Sequence, residues 1–512
     1  MLIKTYGAAV AGIDATIVTV EVNIAKGIFF SMVGLPDNAV RESHQRIDAA
    51  LKNNKYKIPG KGITVNMAPA DIRKEGSAYD LTIATGVLAA SEQITAEDIS
   101  DYLIMGELSL DGGLHPIKGV LPIAIEGKKN GFKGFILPVE NAREAAVVEE
   151  LNVYGMKNLK EVIDFFEGTI KPEPVKIDTR KEFYERVDKY SVDFEDVKGQ
   201  ENIKRAFEIA AAGGHNIILI GPPGAGKTML AKRLPTILPP LDLNEALETT
   251  KIHSVAGKTK GKNSLVSVRP FRSPHHTISD VALVGGGGFP KPGEISLAHN
   301  GVLFLDELPE FKRTVLEVLR QPLEDRVVSI SRAKFSVEYP ASFMLVAAMN
   351  PCPCGFYNHP DRDCVCAPGV VQKYLSKISG PLLDRIDIHI EVTPVSFDEL
   401  SDERKSENSA SVRLRVTEAR KKQSDRFKEN KGIYANAQMS SRDLKKYAEI
   451  NQAGKDLLKN AMEKLGLSAR AYDRIIKVSR TIADLENSQN IELEHLSEAI
   501  QYRSLDRDSW AG

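Results

Sequence analysis

The sequence predicts a multidomain α/β protein, and three patterns carry that prediction. The first part alternates short apolar and amphipathic stretches, beginning with the strand-like spacing of Val18, Val20 and Val22. An apolar run at 217–220 leads directly into a glycine-rich loop. Toward the C-terminus, apolar residues recur at intervals of three and four, which is typical of helices. We therefore expect an α+β domain (1–168), a linker (169–190), a central α/β domain (191–396) and a helical lid (397–512).

The length and the net charge of the chain limit which classes of function it can have. The 512 residues are enough for about three domains. The formal net charge of −1 gives no overall attraction to nucleic acid, so any DNA contact must come from a local patch or pore. No apolar run approaches the roughly 20 residues of a membrane span, and the N-terminus shows no signal-peptide pattern. We expect a cytoplasmic protein without a membrane partner.

Individual elements follow from local periodicity. In the first domain we expect helices at 36–53 and 80–90, and strands at 63–67, 103–110 and 135–137. The stretch 169–190 is rich in proline and charge, which suits a linker. In the lid we expect helices at 408–430, 440–449, 452–465, 468–484 and 492–503. The highly charged segment 400–430 is interpreted as a solvated helix.

The most informative motif is Gly-Pro-Pro-Gly-Ala-Gly-Lys-Thr at 221–228, between an apolar strand and a helix. Its glycines let backbone N–H groups turn inward around phosphates, next to a positive helix terminus. Lys227 places a cation against the β- and γ-phosphates, and the Thr228 hydroxyl can ligate Mg²⁺. The pattern predicts a nucleoside triphosphate site. Its contact residues are Gly221, Pro222, Pro223, Gly224, Ala225, Gly226, Lys227, Thr228 and Met229.

A second strand ends in two carboxylates. Four apolar residues at 302–305 are followed by Asp306 and Glu307. Such a pair is common by itself, but downstream of a phosphate loop it indicates hydrolysis. Asp306 can hold Mg²⁺ through its water shell, and Glu307 can orient and deprotonate the attacking water.

A third strand supplies a polar amide. Residues 329–337 predict a hairpin around Arg332, and residues 343–349 predict a buried strand that ends at Asn350. An amide at this strand end could hold the lytic water or sense the γ-phosphate. The alternative is a turn asparagine before Pro351.

Two arginine-containing segments complete the set, Gly-Pro-Leu-Leu-Asp-Arg-Ile-Asp at 380–387 and Ser-Ala-Arg-Ala-Tyr-Asp-Arg at 468–474. Together with a box at 193–200, these motifs resemble the magnesium-chelatase-like branch of the AAA+ ATPases. The resemblance implies ATP and Mg²⁺ as cofactors, an adenine-side role for the box and a first-sensor role for Asn350. It also makes Arg385 an arginine finger for the neighbouring subunit's ATP, and Arg470 a second sensor. A surface salt bridge is the alternative for either arginine.

Further segments resemble the YifB/ComM family over almost the whole chain. They are 269–277, 285–288, 292–301 and the Asn-Pro-Cys-Pro-Cys-Gly run at 350–355. The resemblance implies a homo-hexameric ATPase. For the ComM type it implies a DNA helicase that drives branch migration during natural transformation. A chelatase-type or protein-remodelling ATPase that does not act on DNA is the alternative.

An insertion precedes Asp306, because the chain after Lys227 is longer than one helix and one strand require. In related motors this insertion and the later hairpin point into a ring pore, where basic residues would contact DNA phosphates. The alternative is an ordinary surface insertion. His275 and His276 have no evident metal partners and are interpreted as structural. The candidate DNA contacts are Arg269, Arg272, Arg332 and Lys334.

The chain has four cysteines, all within an insertion at 352–366. Cys352, Cys354, Cys364 and Cys366 form two C-x-C pairs, and four thiolates can close a tetrahedral structural Zn²⁺ site. Four reduced thiols are the alternative, and His359 could replace one ligand.

Residues 63–140 resemble the proteolytic domain of the Lon family, which implies an S5-like α+β fold. The nucleophilic serine position falls on Ala78 and the catalytic lysine position on Leu121, and neither side chain can do that chemistry. Ser77 lies one place away and would need a shifted alignment. We expect no protease activity, and a scaffold role in assembly or substrate binding.

Overall fold

The computed structural model describes residues 1–95, 97–187, 189–259, 265–287, 290–332, 335–357, 359, 362–367, 369–395, 406–430 and 432–503. It contains a seven-stranded sheet, a five-stranded sheet and a helical C-terminal region. The expected multidomain α/β class is thereby confirmed. Within these ranges, no helix combines the length and the apolar content that a bilayer span requires.

The N-terminal sheet is mixed. Val18, Val20 and Val22 point into its core and are fully buried, as their alternate spacing predicts. Its strand order is β3-β4-β2-β1-β5-β8-β9, and β6 pairs with β7 separately. The strands are β1 Leu2–Ala11, β2 Asp14–Ala25, β3 Phe30–Val33, β4 Gly62–Ala68, β5 Tyr102–Ile104, β6 Glu107–Leu108, β7 Leu114–His115, β8 Gly134–Pro138 and β9 Asn152–Met156.

Capping side chains set where helices of the N-terminal region begin. Asp37 accepts a hydrogen bond from the Val40 N–H at 2.8 Å, so the first helix begins at Asn38 and not at residue 36. A short helix lies within the expected linker. The helices are α1 Asn38–Asn53, α2 Asp80–Ala90, α3 Val120–Lys129, α4 Val139–Ala145, α5 Leu159–Phe166 and α6 Thr179–Tyr184.

The central sheet is parallel throughout and has the order β11-β14-β17-β10-β18. Its strands β10, β14 and β17 are completely buried, which explains their uninterrupted apolar sequences. Parallel strands place their carboxyl ends at one edge, so this edge collects the residues that follow them. The strands are β10 Ile217–Ile220, β11 Phe271–Arg272, β12 Gly285–Gly286, β13 Lys291–Pro292, β14 Val302–Leu305, β15 Val327–Arg332, β16 Phe335–Pro340, β17 Met344–Met349 and β18 Ile388–Glu391.

Two antiparallel hairpins lie outside this sheet, the glycine hairpin (β12–β13) and the expected hairpin β15–β16. The helices of the central region are α7 Glu201–Gly213, α8 Lys227–Ile237, α9 Leu243–Val255, α10 Asp280–Val284, α11 Glu294–Leu297, α12 Arg313–Glu317, α13 Arg320–Asp325, α14 Val370–Leu375 and α15 Gly380–Leu383.

The C-terminal helices are α16 Ser409–Arg426, α17 Ser441–Tyr447, α18 Gln452–Leu465, α19 Ala469–Leu485 and α20 Leu493–Gln501. The expectation of a solvated helix is wrong for α16 on one face. Val412, Val416 and Ala419 are buried there, against α7 and α8. The long charged side chains occupy the other face of α16. They dominate the composition of the segment, so the apolar face is not evident from composition alone.

The insertion before Asp306 connects the two sheets. Its helix α9 packs on α3, and Leu241, Ala246 and Leu265 are buried in the same hydrophobic cluster as the N-terminal sheet. At the turn between β1 and β2, a Cβ on Gly12 would lie 3.1 Å from Val337 Cγ1 of β16, and Ile13 packs on the same hydrophobic cluster as Val337. The N-terminal region therefore contacts both segments assigned above to a pore.

Candidate nucleotide-hydrolysis site

The glycine loop at 221–228 follows β10, and its backbone path requires glycine at several positions. A Cβ on Gly221 would lie 2.2 Å from the Val392 carbonyl oxygen, so the loop begins against the neighbouring strand end. Gly224 and Gly226 have φ of 81° and 85°, in the left-handed region. Gln200, in the expected adenine-side box, donates from Nε2 to the Ala225 carbonyl at 3.2 Å. The box therefore borders the loop.

Lys227 begins α8 and is 8% exposed. Its Nζ donates to the carbonyls of Gly221 at 2.7 Å and Pro222 at 2.9 Å, and to Asn350 Oδ1 at 3.1 Å. Burial lowers the pKa of the Lys227 ammonium, and the nearby Asp306 carboxylate opposes that shift. The structure thus places the expected sensor amide in direct contact with the phosphate-binding lysine.

The two expected magnesium residues are also in contact. Thr228 Oγ1 donates to Asp306 Oδ2 at 2.7 Å, across the ends of β10 and β14. A hydroxyl and a carboxylate are hard oxygen donors, and Mg²⁺ binds through few such groups while keeping several waters. The donor set fits that ion.

Glu307 adopts a left-handed conformation, with φ of 53°, and its side chain is 57% exposed. Its backbone N–H donates to Asp306 Oδ1 at 3.0 Å. Its carboxylate Oε2 lies 3.0 Å from Nδ1 of His276. The interpretation of His276 as merely structural is therefore incomplete, because this ring contacts the candidate catalytic base.

Arg385 and Arg470 have other partners within the chain. Arg385 Nη2 pairs with Glu324 Oε1 at 2.5 Å, and Arg470 Nη1 pairs with Asp384 Oδ2 at 2.7 Å. Neither contact involves the glycine loop. The finger role of Arg385 requires a neighbouring subunit and the sensor role of Arg470 requires a bound nucleotide, so both assignments stay predictions.

The candidate DNA-contact residues also have internal partners where they are described. Arg269 is bonded to the carbonyls of Pro239 and Asn300 and to Glu245. Arg272 forms a two-point ion pair with Glu294, at 2.6 and 2.7 Å. The backbone of Arg332 ends β15, whereas Lys334 and the side chain of Arg332 lie outside the described residues. Their contact with DNA stays a prediction.

A buried ionic cluster connects the central sheet to the C-terminal helices. Asp387 precedes β18 and lies 3.1 Å from His215 Nδ1 and 3.1 Å from Arg474 Nη1 of α19. The second contact is an ion pair whose angles fall outside those of a hydrogen bond. Burial alone would raise the pKa of Asp387, but Arg474 and His215 hold it well below its usual range. A charged residue between Ile386 and Ile388 was the sequence signal for this cluster.

The four cysteines converge beside the glycine loop. The Sγ atoms of Cys352, Cys354 and Cys364 are 3.2 to 3.7 Å apart, and those of all four lie within 4.8 Å of one another. A tetrahedral zinc site separates its sulfurs by about 3.8 Å, so the donor set and spacing fit Zn²⁺. In the same loop, a Cβ on Gly355 would approach Pro223 Cδ to 2.5 Å.

The expected protease positions carry no dyad. Leu121 is fully buried in the first turn of α3, and its N–H faces Glu144 Oε1 at 3.1 Å. The Ser254 hydroxyl of α9 donates to the Glu144 carboxylate, and the Ser254 backbone carbonyl accepts from the Gly119 N–H at 3.1 Å. The insertion therefore covers the position, Leu121, at which the Lon family has its catalytic lysine. Separately, the Ser77 hydroxyl donates to the Glu107 carboxylate.

Three family profiles match the chain. Residues 193–400 match "Magnesium chelatase, subunit ChlI", residues 20–141 match "Subunit ChlI of Mg-chelatase" and residues 406–503 match the C-terminal ChlI profile. The glycine loop, Asp306, Glu307 and Asn350 all lie in the first of these matches.

Two similar proteins match this chain over nearly its full length, and a third matches part of it. The chain is 44% identical to competence protein ComM of Haemophilus influenzae, with 98% of this chain and 97% of that protein covered. It is 44% identical to YifB of Escherichia coli K12, with 98% and 96% covered. Lon protease 2 of Bacillus subtilis is 31% identical over 159 residues, covering 28% of this chain and 27% of that protein. The chain therefore belongs to the YifB/ComM family of magnesium-chelatase-like AAA+ ATPases.

Proposed function

We propose that the protein is an ATP-dependent, ring-forming motor that acts on DNA, as a branch-migration helicase in recombination during natural transformation. The observation that carries the ATPase part is the convergence of three strand ends. Lys227, Asp306 and Asn350 follow β10, β14 and β17, and each contacts a residue from another of these strand ends or from the glycine loop. Full-length similarity to a protein named for competence favours DNA as the object of the motor.

The residues divide the work of hydrolysis. The glycine loop and Lys227 bind the phosphates, and Thr228 and Asp306 hold Mg²⁺, which neutralises charge that develops on the phosphoryl group. Glu307 accepts a proton from the attacking water. Asn350, already bonded to Lys227, positions that water or senses the γ-phosphate.

Ring formation completes the site. We propose that Arg385 leaves Glu324 and supplies its cation to the neighbouring subunit's ATP, while Arg470 acts from α19 on the nucleotide of its own chain. Supplying a cation between subunits links hydrolysis to assembly. The domain limits given above, a homo-hexameric ring and a cytoplasmic location belong to the same proposal. The N-terminal domain is proposed as a scaffold without protease activity.

Stimulation of the ATPase by DNA tests the proposal. We expect several-fold faster hydrolysis with single-stranded, duplex or four-way-junction DNA than without DNA, because pore contacts with phosphates would couple to the hydrolytic site. The measurement is steady-state ATPase rate, with Glu307→Gln as the inactive control. Hydrolysis that no DNA alters would contradict the DNA motor and favour the chelatase-type alternative, which the family name in the profile match supports.

We also propose that Cys352, Cys354, Cys364 and Cys366 hold a structural Zn²⁺. Purified protein is expected to contain about one zinc per chain by elemental analysis. Cys364→Ser should lose the metal and lower the melting temperature. It should also weaken ATP binding, because the loop that carries Gly355 packs on Pro223.

His359→Ala is the matched control and should keep both zinc and ATP affinity, since four thiolates already close the site. Zinc lost in that variant would make His359 a ligand in place of a cysteine. Metal-free protein with four thiols reactive toward a thiol reagent, and with an unchanged melting temperature in Cys364→Ser, would refute the zinc site.

A further inference from the structure

The strand order of the central sheet sets the direction in which a bound nucleotide extends. Asp306 and Asn350, from the hydrolytic site, follow β14 and β17, whereas the glycine loop follows β10, which lies between β17 and β18. The γ-phosphate belongs on the side of β14 and β17, where Mg²⁺ and the attacking water are held. The nucleoside part therefore extends the other way, past β10 toward the end of β18.

A pocket lies at the end of β18. One side is lined by Gly221 and Pro222, at the start of the glycine loop, and another by residues 391–394, where β18 ends. Gln200, in the box at 193–200, donates from Nε2 to the Thr393 carbonyl at 3.0 Å. The pocket therefore borders both the glycine loop and the box to which the resemblance gives an adenine-side role.

The cysteine loop (residues 352–366) forms a further wall of this pocket. Gly355 and Tyr357 of this loop are among the lining residues. Gly355 lies against the glycine loop, as its close approach to Pro223 shows. The Sγ atoms of Cys352 and Cys364, from opposite ends of the loop, are 3.7 Å apart. The cysteine cluster therefore closes the loop beside the pocket and holds this wall in place.

Tyr357 is the side chain of this wall that suits a nucleobase. It is half-buried, and among the described residues no other ring packs on it. The ring of His359, which also lines the pocket, packs edge-on to Phe356 at 5.6 Å between centroids. An aromatic face beside a pocket binds any base by stacking, because every base has a π-face.

We propose that this pocket takes the base of the bound nucleotide and that Tyr357 stacks on that base. The cysteine loop then determines the affinity for the nucleoside part of the substrate, whereas Lys227 and the glycine loop bind the phosphates. The inference rests on the proposed function, since it takes a nucleoside triphosphate as the substrate.

The kinetics of ATP hydrolysis by Tyr357→Ala test the stacking. KM for ATP should rise about ten-fold, the usual effect of removing an aromatic ring on which a base stacks. The kcat should stay within about two-fold of wild type, because neither Asp306 nor Glu307 lines this pocket and the ring contributes binding rather than chemistry. Tyr357→Phe keeps the ring and should keep the wild-type KM.

Inorganic tripolyphosphate separates recognition of the base from recognition of the phosphates. It competes with ATP for the glycine loop but has no base, so its inhibition constant should be the same for wild type and Tyr357→Ala. Lys227→Ala should bind neither ATP nor tripolyphosphate in a calorimetric titration, because it lacks the cation at the phosphate site.

A second position in the cysteine loop controls for structure. Val365 is 83% exposed and does not line the pocket, so Val365→Ala should leave KM for ATP unchanged. Melting temperature identifies variants that fail to fold. If Tyr357→Ala is among them, Tyr357→Leu removes the ring with a smaller loss of volume and should show the same rise in KM.

The possible failures are distinguishable. An unchanged KM in Tyr357→Ala, or an equal rise in Tyr357→Ala and Tyr357→Phe, would overturn the stacking and leave the phosphate site intact. Tripolyphosphate weakened as much as ATP in Tyr357→Ala would show that the side chain acts through the glycine loop, and would overturn the base pocket. Normal binding of ATP by Lys227→Ala would instead remove the proposed function.

Discussion

Replacing Glu307 with glutamine is expected to lower the kcat for ATP hydrolysis by at least about 100-fold, the usual contribution of a general base. Glutamine keeps the size of the side chain but cannot take a proton from water. Affinity for ATP should stay within about two-fold, because the groups that bind phosphate are elsewhere, in the glycine loop and at Lys227. Steady-state hydrolysis and binding of a fluorescent ATP analogue measure the two effects separately.

Lys227→Ala is the matched control for this experiment. It removes the buried cation at the phosphate site and should abolish measurable nucleotide binding, in contrast to Glu307→Gln. If Glu307→Gln hydrolysed ATP at the wild-type rate, another group would have to be the base. The two variants together separate loss of binding from loss of chemistry.

Asp387→Ala is expected to destabilise the ATPase region by about 3–5 kcal/mol, as removal of one partner from a buried ion pair does. Arg474 and the fully buried His215 would lose their carboxylate partner. The urea midpoint, measured on the wild type and the variant, reports this effect. The junction between β18 and α19 should loosen first, because Asp387 joins them.

The Asp387 carboxylate also makes the stability of the folded protein depend on pH. The pKa of Asp387 is lowered in the folded protein, so its contribution is present above the pKa of about 3.9 of an unfolded aspartate. That contribution is lost as the pH falls toward the lower folded value. The urea midpoints of wild type and Asp387→Ala should therefore converge in acid.

Asp384→Ala is the control for Asp387→Ala. Asp384 lies three positions earlier and pairs with Arg470, whose side chain is 69% exposed. An exposed ion pair of this kind contributes little to stability, because water screens it. Equal loss of stability in the two variants would show that burial of Asp387 is not the cause.

The sequence was sufficient for elements and contacts that depend on local pattern. The limits of α2 match the expected 80–90, and every residue of that helix is buried, most of them apolar. The expected strand at 103–110 instead breaks near Gly106, whose N–H donates to the Ala78 carbonyl at 2.8 Å. That hydrogen bond belongs to the tertiary fold, so periodicity along the strand could not predict it.

Some contacts of the candidate site can likewise be predicted from the sequence, and others cannot. The contacts among Lys227, Thr228 and Asp306 follow from motifs at the ends of parallel strands, whose meeting point is fixed by topology. The contact of His276 with Glu307 joins a loop to a strand end, and no spacing rule relates the two positions. Metal-ligand spacing is the sequence pattern that relates this histidine to a partner, so the sequence does not predict a carboxylate partner.

The shared packing of α9 has a consequence for any attempt to divide the chain. A protein shortened to begin near residue 191 would keep α9 but lose the N-terminal sheet that covers Leu241, Ala246 and Leu265. Those apolar side chains would then face water or the same surface of another copy. Aggregation or altered activity of such a shortened chain would report a severed hydrophobic core, and would not reveal the function of the missing residues.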